Sequence, residues 1–540
     1  MLALLLILIL FAFSLAYLFY GNFIRKTLDL DDRNPTPAHT VNDGIDYVPA
    51  RVPVLFGHHF SSIAGAGPVI GPVIVAAAFG WLPALIWIII GSIFIGGVHD
   101  MTAIIFSIRH GGESVARVAH KYISPLAYKI FLLFVWLTLV YIITVFVDLT
   151  SVTFIEDGGV ATSSIIYIFL AVIFGLLLYR AGLSFRFLTI LCVSLAFAGI
   201  WAGQLFPITF HPYGFLGISD KTLWASLLIV YCFAASVLPV WLLLQPRDYL
   251  SSYLLYGSVL MGFAGILAGG FDFEFPAFTG FHSDYLGYMF PILFVTVACG
   301  AVSGFHALVA SGTTSKQLNK ECDARIVGYG AMLVEGIVAV IALATVIIAA
   351  TTDPVLKRQP LEIFAAGMGR FFDVFGLPQA TGRSFGLLAL SAFILTTLDT
   401  ATRIARYIFQ EFFSLKKSFY RFFATAASLV LPLIFIFIEI KDQAGNPLPV
   451  WKAVWPVFGA SNQLMAALVL LVITIWLKKS GKKYLFTLIP TVFMTVVTVW
   501  SLIILLGKYQ FSAIGLISFM LLILTILLIV ESGRSLDKSR

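Results

Sequence analysis

The stretch GHHFSSIAGAGPVIGPVIVAAAFG, from Gly57 to Gly80, constrains this chain more than any other, because it is apolar enough to enter a bilayer yet cannot be helical throughout. Its first half carries His58, His59, Ser61 and Ser62, and its middle is interrupted by Gly65, Gly67, Pro68, Gly71 and Pro72. Glycine is a poor helix former, and proline lacks the backbone donor and clashes with the preceding turn, so the segment is expected to unwind near membrane depth. In lipid, unpaired backbone is tolerated only where protein buries it or where it lines a wet cavity. A broken helix of this kind points to the binding site of a transporter.

Composition places the rest of the chain in the membrane. Of 540 residues, 60% are hydrophobic and 11% charged, which excludes a soluble domain and fits an all-α polytopic membrane protein. About fifteen apolar runs approach the ~20 residues that cross a bilayer: 2–20, 56–80, 82–106, 127–149, 160–180, 184–206, 222–245, 251–270, 289–313, 328–350, 384–410, 421–440, 450–477, 484–506 and 511–530. The net charge of +7 does not indicate nucleic acid, because the basic residues are scattered through short loops. Alternating the spans from an outside N-terminus puts 26 of the 34 Lys and Arg on one side and 8 on the other, so the positive-inside rule places the C-terminus in the cytoplasm. Arg25 and Lys26 follow the first run and nothing basic precedes it, so it reads as a retained anchor. Cys192, Cys232, Cys299 and Cys322 form neither a disulfide framework nor a CxxC site.

Three parts are expected. Residues 1–55 hold the anchor and a polar, proline-bearing cytoplasmic linker, 56–410 a transporter core, and 411–540 further transmembrane helices. Within the core, spans two to six and seven to eleven, about 56–206 and 222–410, make two sets of five. Five is odd, so the second set runs inverted. It also opens on an interrupted helix carrying Ser236 and Pro239 and ending in the Gln245, Pro246, Arg247, Asp248 turn, as in inverted-repeat transporters. The aromatic loop 269–288 reads as an interfacial belt rather than an external gate, and 356–378, with Lys357, Arg358 and Arg370, as a helix lying in the outer interface.

Ionisable groups within membrane spans are costly and functional by default. His58, His59, Asp100, His306 and Asp399 all fall in the cytoplasmic half by helical rise, where two carboxylates and several imidazoles could exchange a proton. The alternative is structural: Asp399 pairs with Arg403 one turn on, and Asp100 with His99 or a neighbouring helix. No metal centre is expected, because adjacent histidines point to different faces of a helix. Ser311, Thr313 and Thr314 could coordinate a cation or ligand or merely pack helices, Thr396, Thr397 and Thr400 flank Asp399, and Ser461, Asn462 and Gln463 read as helix-to-helix glue. No P-loop, nucleophile elbow or HExxH spacing supports an enzyme.

The motifs GHHFSSIAGAGP at 57–68, GWLPALIWIIIGSIFIGGVHD at 80–100, QPRDYL at 245–250, CGAVSGFHALVASGTTSKQLNKE at 299–321, TTLDTATRIARY at 396–407 and FGASNQLMAAL at 458–468 closely resemble the carbon starvation protein A (CstA) family. The resemblance implies an inner or plasma membrane uptake transporter associated with peptide use during carbon starvation, with a related branch that imports pyruvate with protons. It also implies the LeuT-like core of the amino acid-polyamine-organocation superfamily, built from two inverted five-helix repeats. The expected activity is secondary active import of short peptides or a small carboxylate such as pyruvate by proton symport. A sodium-coupled symporter of the same fold and a gated channel are the rivals. Ser61, Ser62, Gly65, Ala66 and Gly67, facing Ser236 and Pro239, are the expected substrate site. His58, His59, Asp100, His306 and Asp399 are the expected proton site, with Ser311, Thr313 and Thr314 serving sodium instead. The partners are then substrate, coupling ion and membrane lipid, with no cofactor.

Overall fold

The computed structural model describes residues 1–44, 46–121, 125–210, 219–284, 286–415, 417–438, 449–510 and 513–537. The ends of two expected spans, 439–440 and 511–512, position 45 of the expected linker and position 285 of the aromatic loop lie outside them. The first helices are α1 (Leu2–Thr27), α2 (Val52–Ile63), α3 (Gly67–Phe79), α4 (Trp81–Ile108) and α5 (Pro125–Glu156). There follow α6 (Gly158–Tyr179), α7 (Phe185–Leu205), α8 (Asp220–Val237), α9 (Leu244–Ala268), α10 (Met289–Thr296) and α11 (Gly304–Val309). The chain continues through α12 (Arg325–Ile347), α13 (Pro360–Asp373), α14 (Gln379–Phe412), α15 (Tyr420–Phe437), α16 (Val450–Lys479), α17 (Leu485–Tyr509) and α18 (Ala513–Asp537).

Among the described residues, twelve helices are long and apolar enough to cross a membrane, or thirteen when α2 and α3, bent by 42° at their break, count as one span. The protein is an all-helical, multi-pass membrane protein. The two other expected runs are a segment divided into α10 and α11, and α18, whose described apolar part is Ile514–Leu527.

The expected interruption at Pro239 is instead the end of a helix. Proline disfavours a helical residue before it, and Leu238 is extended with φ −69° and ψ 152°, so α8 stops at Val237 and α9 starts anew at Leu244. The second broken membrane segment lies at 297–303, between α10 and α11, where Gly300 and Gly304 weaken the helix.

Packing centres on α14, whose apolar window is entirely buried. It lies along α5, and α8 and α15 pack on both of these and on each other. The helix α9 packs on α2 and α14, α16 on α11 and α5, and α12 on α3, whereas α6 and α7 form a peripheral hairpin. The amphipathic α13 packs against α14, with Arg370 paired to Asp353 and Arg358 to Glu362 at 3.1 Å. The aromatic loop closes over the ends of α3 and α4: Leu82 N–H donates to the Ala277 carbonyl at 2.9 Å, and Trp81 Nε1 to that of Phe275 at 3.0 Å.

The expected cytoplasmic linker is not a loose connector. Thr36 Oγ1 donates to the Leu318 carbonyl at 2.5 Å, Asn34 Nδ2 to Glu321 at 3.1 Å, and Ala50 N–H to the Gln317 carbonyl at 2.9 Å. Asp46 accepts from Tyr407 at 2.5 Å and pairs with Arg403 at 3.4 Å. Its polar and proline-bearing composition suits docking on a polar connector as well as it suits solvation, so composition alone does not tell a docked linker from a free one.

Candidate functional site

The chain is open between Ile63 and Gly67, as the glycines require. Ala64 has φ −75° and ψ 57°, and the Ala66 carbonyl accepts the Val69 and Ile70 N–H groups that begin α3. The last carbonyls of α2 lack helical donors, and α14 supplies them: Thr396 Oγ1 donates to the Ser61 carbonyl at 2.8 Å and Thr397 Oγ1 to that of Ser62 at 3.1 Å. Ser62 Oγ also meets Thr400 Oγ1 at 3.1 Å.

The two breaks face each other. A Cβ on Gly67 would sit 2.4 Å from Cys299 Cβ, and one on Gly71 would sit 2.4 Å from the Thr296 carbonyl oxygen. Asn462 of α16 holds the second break: its Oδ1 accepts from Ser303 Oγ at 3.0 Å and from the Phe305 N–H at 2.9 Å, and so acts as the cap of α11. Between the breaks lies a cavity of about 10 Å³ bordered by Gly65, Gly67, Phe146, Cys299, Thr397 and Phe458, room for about one water. A cavity of about 450 Å³ adjoins the far end of α3, with Lys357, Arg358, Trp451 and Lys452 at its edge. Another of about 400 Å³ is bordered by Ser311 and Lys316, which follow α11, and by Tyr407 and Glu411 towards the end of α14. The breaks therefore sit between two vestibules, closed in this conformation.

Two buried polar networks flank them. In the first, the Asp100 carboxylate accepts from His99 Nδ1 at 2.8 Å and from His306 Nδ1 at 2.9 Å. The other nitrogen of His306, Nε2, lies 3.4 Å from Glu335 Oε2, and His59 Nδ1 meets Thr314 Oγ1 at 2.8 Å. In the second, Arg247 pairs with Asp399, which also accepts from Tyr231 at 2.6 Å, while His58 Nδ1 reaches the Asp248 carboxylate at 2.6 Å. Ser61 Oγ donates to the Asp248 carbonyl at 3.2 Å. A buried carboxylate is tolerable only with such partners.

Several expectations change. Asp399 pairs with Arg247 rather than Arg403, whose guanidinium instead serves the Ala235 and Leu238 carbonyls and Asp46. Ser236 bonds Thr425 at 3.1 Å and its carbonyl accepts from Arg406, so the Ser236–Pro239 bend gathers around α14 and α15 and does not face Gly65 and Gly67. Ser311 and Thr313 donate back to the carbonyls of Ala307 and Val309; the hydroxyls that meet carbonyls of the first broken helix are those of Thr396 and Thr397. Asp100 and His306 do come together, whereas Asp399 belongs to the other network. Among the described residues no group of three or more His, Cys, Asp or Glu is arranged to hold a metal ion.

Glu335, Tyr231, Arg247 and Asp248 complete these networks without appearing among the expected site residues. The run AMLVEGIVAV does carry the signal for Glu335, a lone carboxylate inside an apolar span. Arg247 and Asp248 sit in QPRDYL, which reads locally as a turn; only the tertiary fold buries it.

The carbon starvation protein CstA family model matches residues 1–355 and 348–501. The peptide transporter CstA of Bacillus subtilis is 35% identical over 89% of this chain and 87% of its own length. The pyruvate/proton symporter BtsT of Escherichia coli is 32% identical over 91% and 80%, and the Escherichia coli peptide transporter CstA 31% identical over 90% and 78%. Among solved structures, the chain is similar to MhsT in complex with L-phenylalanine, at 15% identity and a TM-score of 0.49 over 89% of this chain and 98% of that one. The manganese transporter of Eremococcus coleocola, in complex with an aromatic bis-isothiourea substituted compound, gives 12% identity and a TM-score of 0.48 over 92% and 99%. With the family model covering nearly its whole length and relatives above 30% identity along most of it, the chain belongs to the carbon starvation protein CstA family.

Proposed function

We propose that this protein is a carbon-starvation-type secondary active transporter that imports short peptides or a small carboxylate such as pyruvate together with protons. The observation that carries the reading is the pair of helix breaks, 64–66 and 297–303, set face to face between two vestibules and flanked by buried ionisable groups. The relatives' names add peptides and pyruvate as cargo and protons as the coupling ion. Both cargoes share a carboxylate, a charge that the positive end of the α3 dipole favours. The candidate substrate residues are Ser61, Ser62, Gly65, Ala66 and Gly67 from the first break, with Cys299 and Thr397 opposite them in place of Ser236 and Pro239.

Fifteen spans follow when α2 with α3 and α10 with α11 each count as one and α18 crosses. The core then comprises α2/α3, α4, α5, α8 and α9 in one set, and α10/α11, α12, α14, α15 and α16 in the other. The hairpin α6 and α7 is inserted into the first set, so the first three pairs of equivalent members stand seven spans apart and the last two five apart; both steps are odd, and the second set runs inverted. Packing supports this pairing: α5 lies on α14 and α8 on α15, and α9 on α2 is matched by α16 on α11. These boundaries, about 52–268 and 289–479, replace 56–206 and 222–410. The N-terminus is placed outside and the C-terminus in the cytoplasm of the inner or plasma membrane by the charge bias.

A transport panel tests the cargo. Labelled pyruvate and labelled di- and tripeptides are offered to a transporter-deficient cell expressing this chain; saturable entry of either supports the reading, and entry of neither removes it. A second reading, sodium in place of protons, draws on the threonine hydroxyls of α14 set against the Ser61 and Ser62 carbonyls, an all-oxygen grouping of the kind hard cations use.

A further inference from the structure

We infer that Glu335 of α12 and His306 of α11 share a single transportable proton and form the site at which the protein loads and releases it. This rests on the reading of the chain as a proton symporter.

Glu335 and His306 are both fully buried. Asp100 fixes the tautomer of His306. Its carboxylate takes one hydrogen bond from His99 Nδ1 and one from His306 Nδ1, so His306 carries a proton on Nδ1 and turns Nε2 away from Asp100. Nε2 lies 3.4 Å from Glu335 Oε2, and neither that nitrogen nor either Glu335 oxygen has a hydrogen-bond partner, so these buried polar atoms are left to one another.

Closing this contact by a few tenths of an ångström allows two arrangements. A protonated Glu335 donates its O–H to the Nε2 lone pair of a neutral imidazole, or an imidazolium donates Nε2–H to the Glu335 carboxylate. Moving the proton between them breaks the O–H bond, forms the N–H bond and leaves a carboxylate beside an imidazolium. Each arrangement holds one proton between the two atoms. Removing it sets a carboxylate against a lone pair, in a fully buried site that already contains the Asp100 charge, which is unfavourable. The closed conformation therefore keeps the proton.

The ionisable groups that face Glu335 are His306 and Cys299 from the second broken segment and Asp100 from α4, whose charge is held by His99; His59 of α2 stands behind Asp100 and His306. Release is tied to the breaks by placement. His306 stands on a short helix that begins at Gly304, directly after the 297–303 break, while Glu335 stands on the continuous helix α12. Tilting α11 to open a vestibule lengthens the contact and admits water, and the shared proton is then free to leave.

The test uses the full chain in sodium-free proteoliposomes, with the substrate that the wild type transports as the probe. Wild type, Glu335→Gln and Glu335→Asp are compared for accumulation driven by a pH gradient and for counterflow with the gradient collapsed. The expected result is that Glu335→Gln loses about tenfold or more of its gradient-driven accumulation while counterflow stays near the wild-type rate, and that Glu335→Asp shifts the pH of half-maximal driven uptake. Wild-type accumulation in Glu335→Gln overturns the inference, as does an equal loss of counterflow, which marks a structural role. Should Glu335→Gln not yield folded protein, an unchanged pH profile in Glu335→Asp overturns it. Wild-type uptake that ignores the pH gradient overturns the proton reading itself, and so is distinguished from a failure at Glu335.

Discussion

Arg247 at the start of α9 and Asp399 in the middle of α14 pair with side chains only 2% and 0% exposed, beside the Tyr231 hydroxyl. A buried ion pair contributes little net stability when compared with a well-packed apolar pair, but removing one partner strands the other charge. Arg247→Met or Asp399→Leu alone is expected to destabilise the protein by about 3–5 kcal/mol. The double variant recovers most of that loss. Melting of the purified protein in detergent checks this, and strict additivity of the two losses contradicts it.

The glycines at the first break separate two kinds of close approach. A methyl on Gly67 collides with the Cys299 side chain, and one on Gly71 with the Thr296 backbone oxygen. Gly67→Ala is expected to abolish uptake at normal membrane abundance, and Gly67→Ala with Cys299→Gly to restore it in part. Gly71→Ala has no side chain to remove and is expected to resist rescue by Cys299→Gly. Uptake assays normalised to expression read both outcomes, and leucine at Gly65 or Gly67 with normal transport contradicts the close packing.

Asn462 caps α11 from a different helix. Asn462→Leu leaves the buried Phe305 N–H without an acceptor, at a cost of about 1–3 kcal/mol. Asn462→Asp keeps an acceptor there, so its melting temperature is expected to stay above that of the leucine variant.

The docked segment before α2 carries a pH signature. Burial works against the ionised Asp46 carboxyl, but Lys316, Arg403 and Arg406 outweigh it and hold Asp46 below the usual carboxylate range. A carboxyl lowered on folding contributes stability above its unfolded value of about 4 and loses it as pH falls through the folded value. Asp46→Asn is therefore expected to lower the melting temperature by a constant amount from about pH 5 to 7, with the difference from wild type closing below about pH 4. A difference that widens on acidification contradicts the assignment.

The first break was legible because Gly65, Gly67 and Pro68 oppose helix by local chemistry alone, and so was the gathering of Asp100 with His306, since helical rise fixes depth. What pairs with what was not legible. Asp399 has Arg403 one turn away, yet its partner comes from α9, because the interior of the bundle sets the choice and the chain spacing does not. The run 289–313 reads as one span and Pro239 as an interruption, yet Pro239 ends a helix and CGAVSG opens a membrane segment, against which Gly67 and Gly71 pack. The stretch before α2 shows the same limit, since polar residues that bind a connector and polar residues that bind water have one composition.

The most direct test of the account is flux through the purified chain in sodium-free proteoliposomes with an imposed pH gradient. The account predicts saturable accumulation of labelled pyruvate or a labelled di- or tripeptide above equilibrium, acidification of the lumen during uptake, and counterflow once the gradient is collapsed. Flux that follows electrodiffusion without counterflow, or accumulation that ignores pH and requires a sodium gradient, would contradict it.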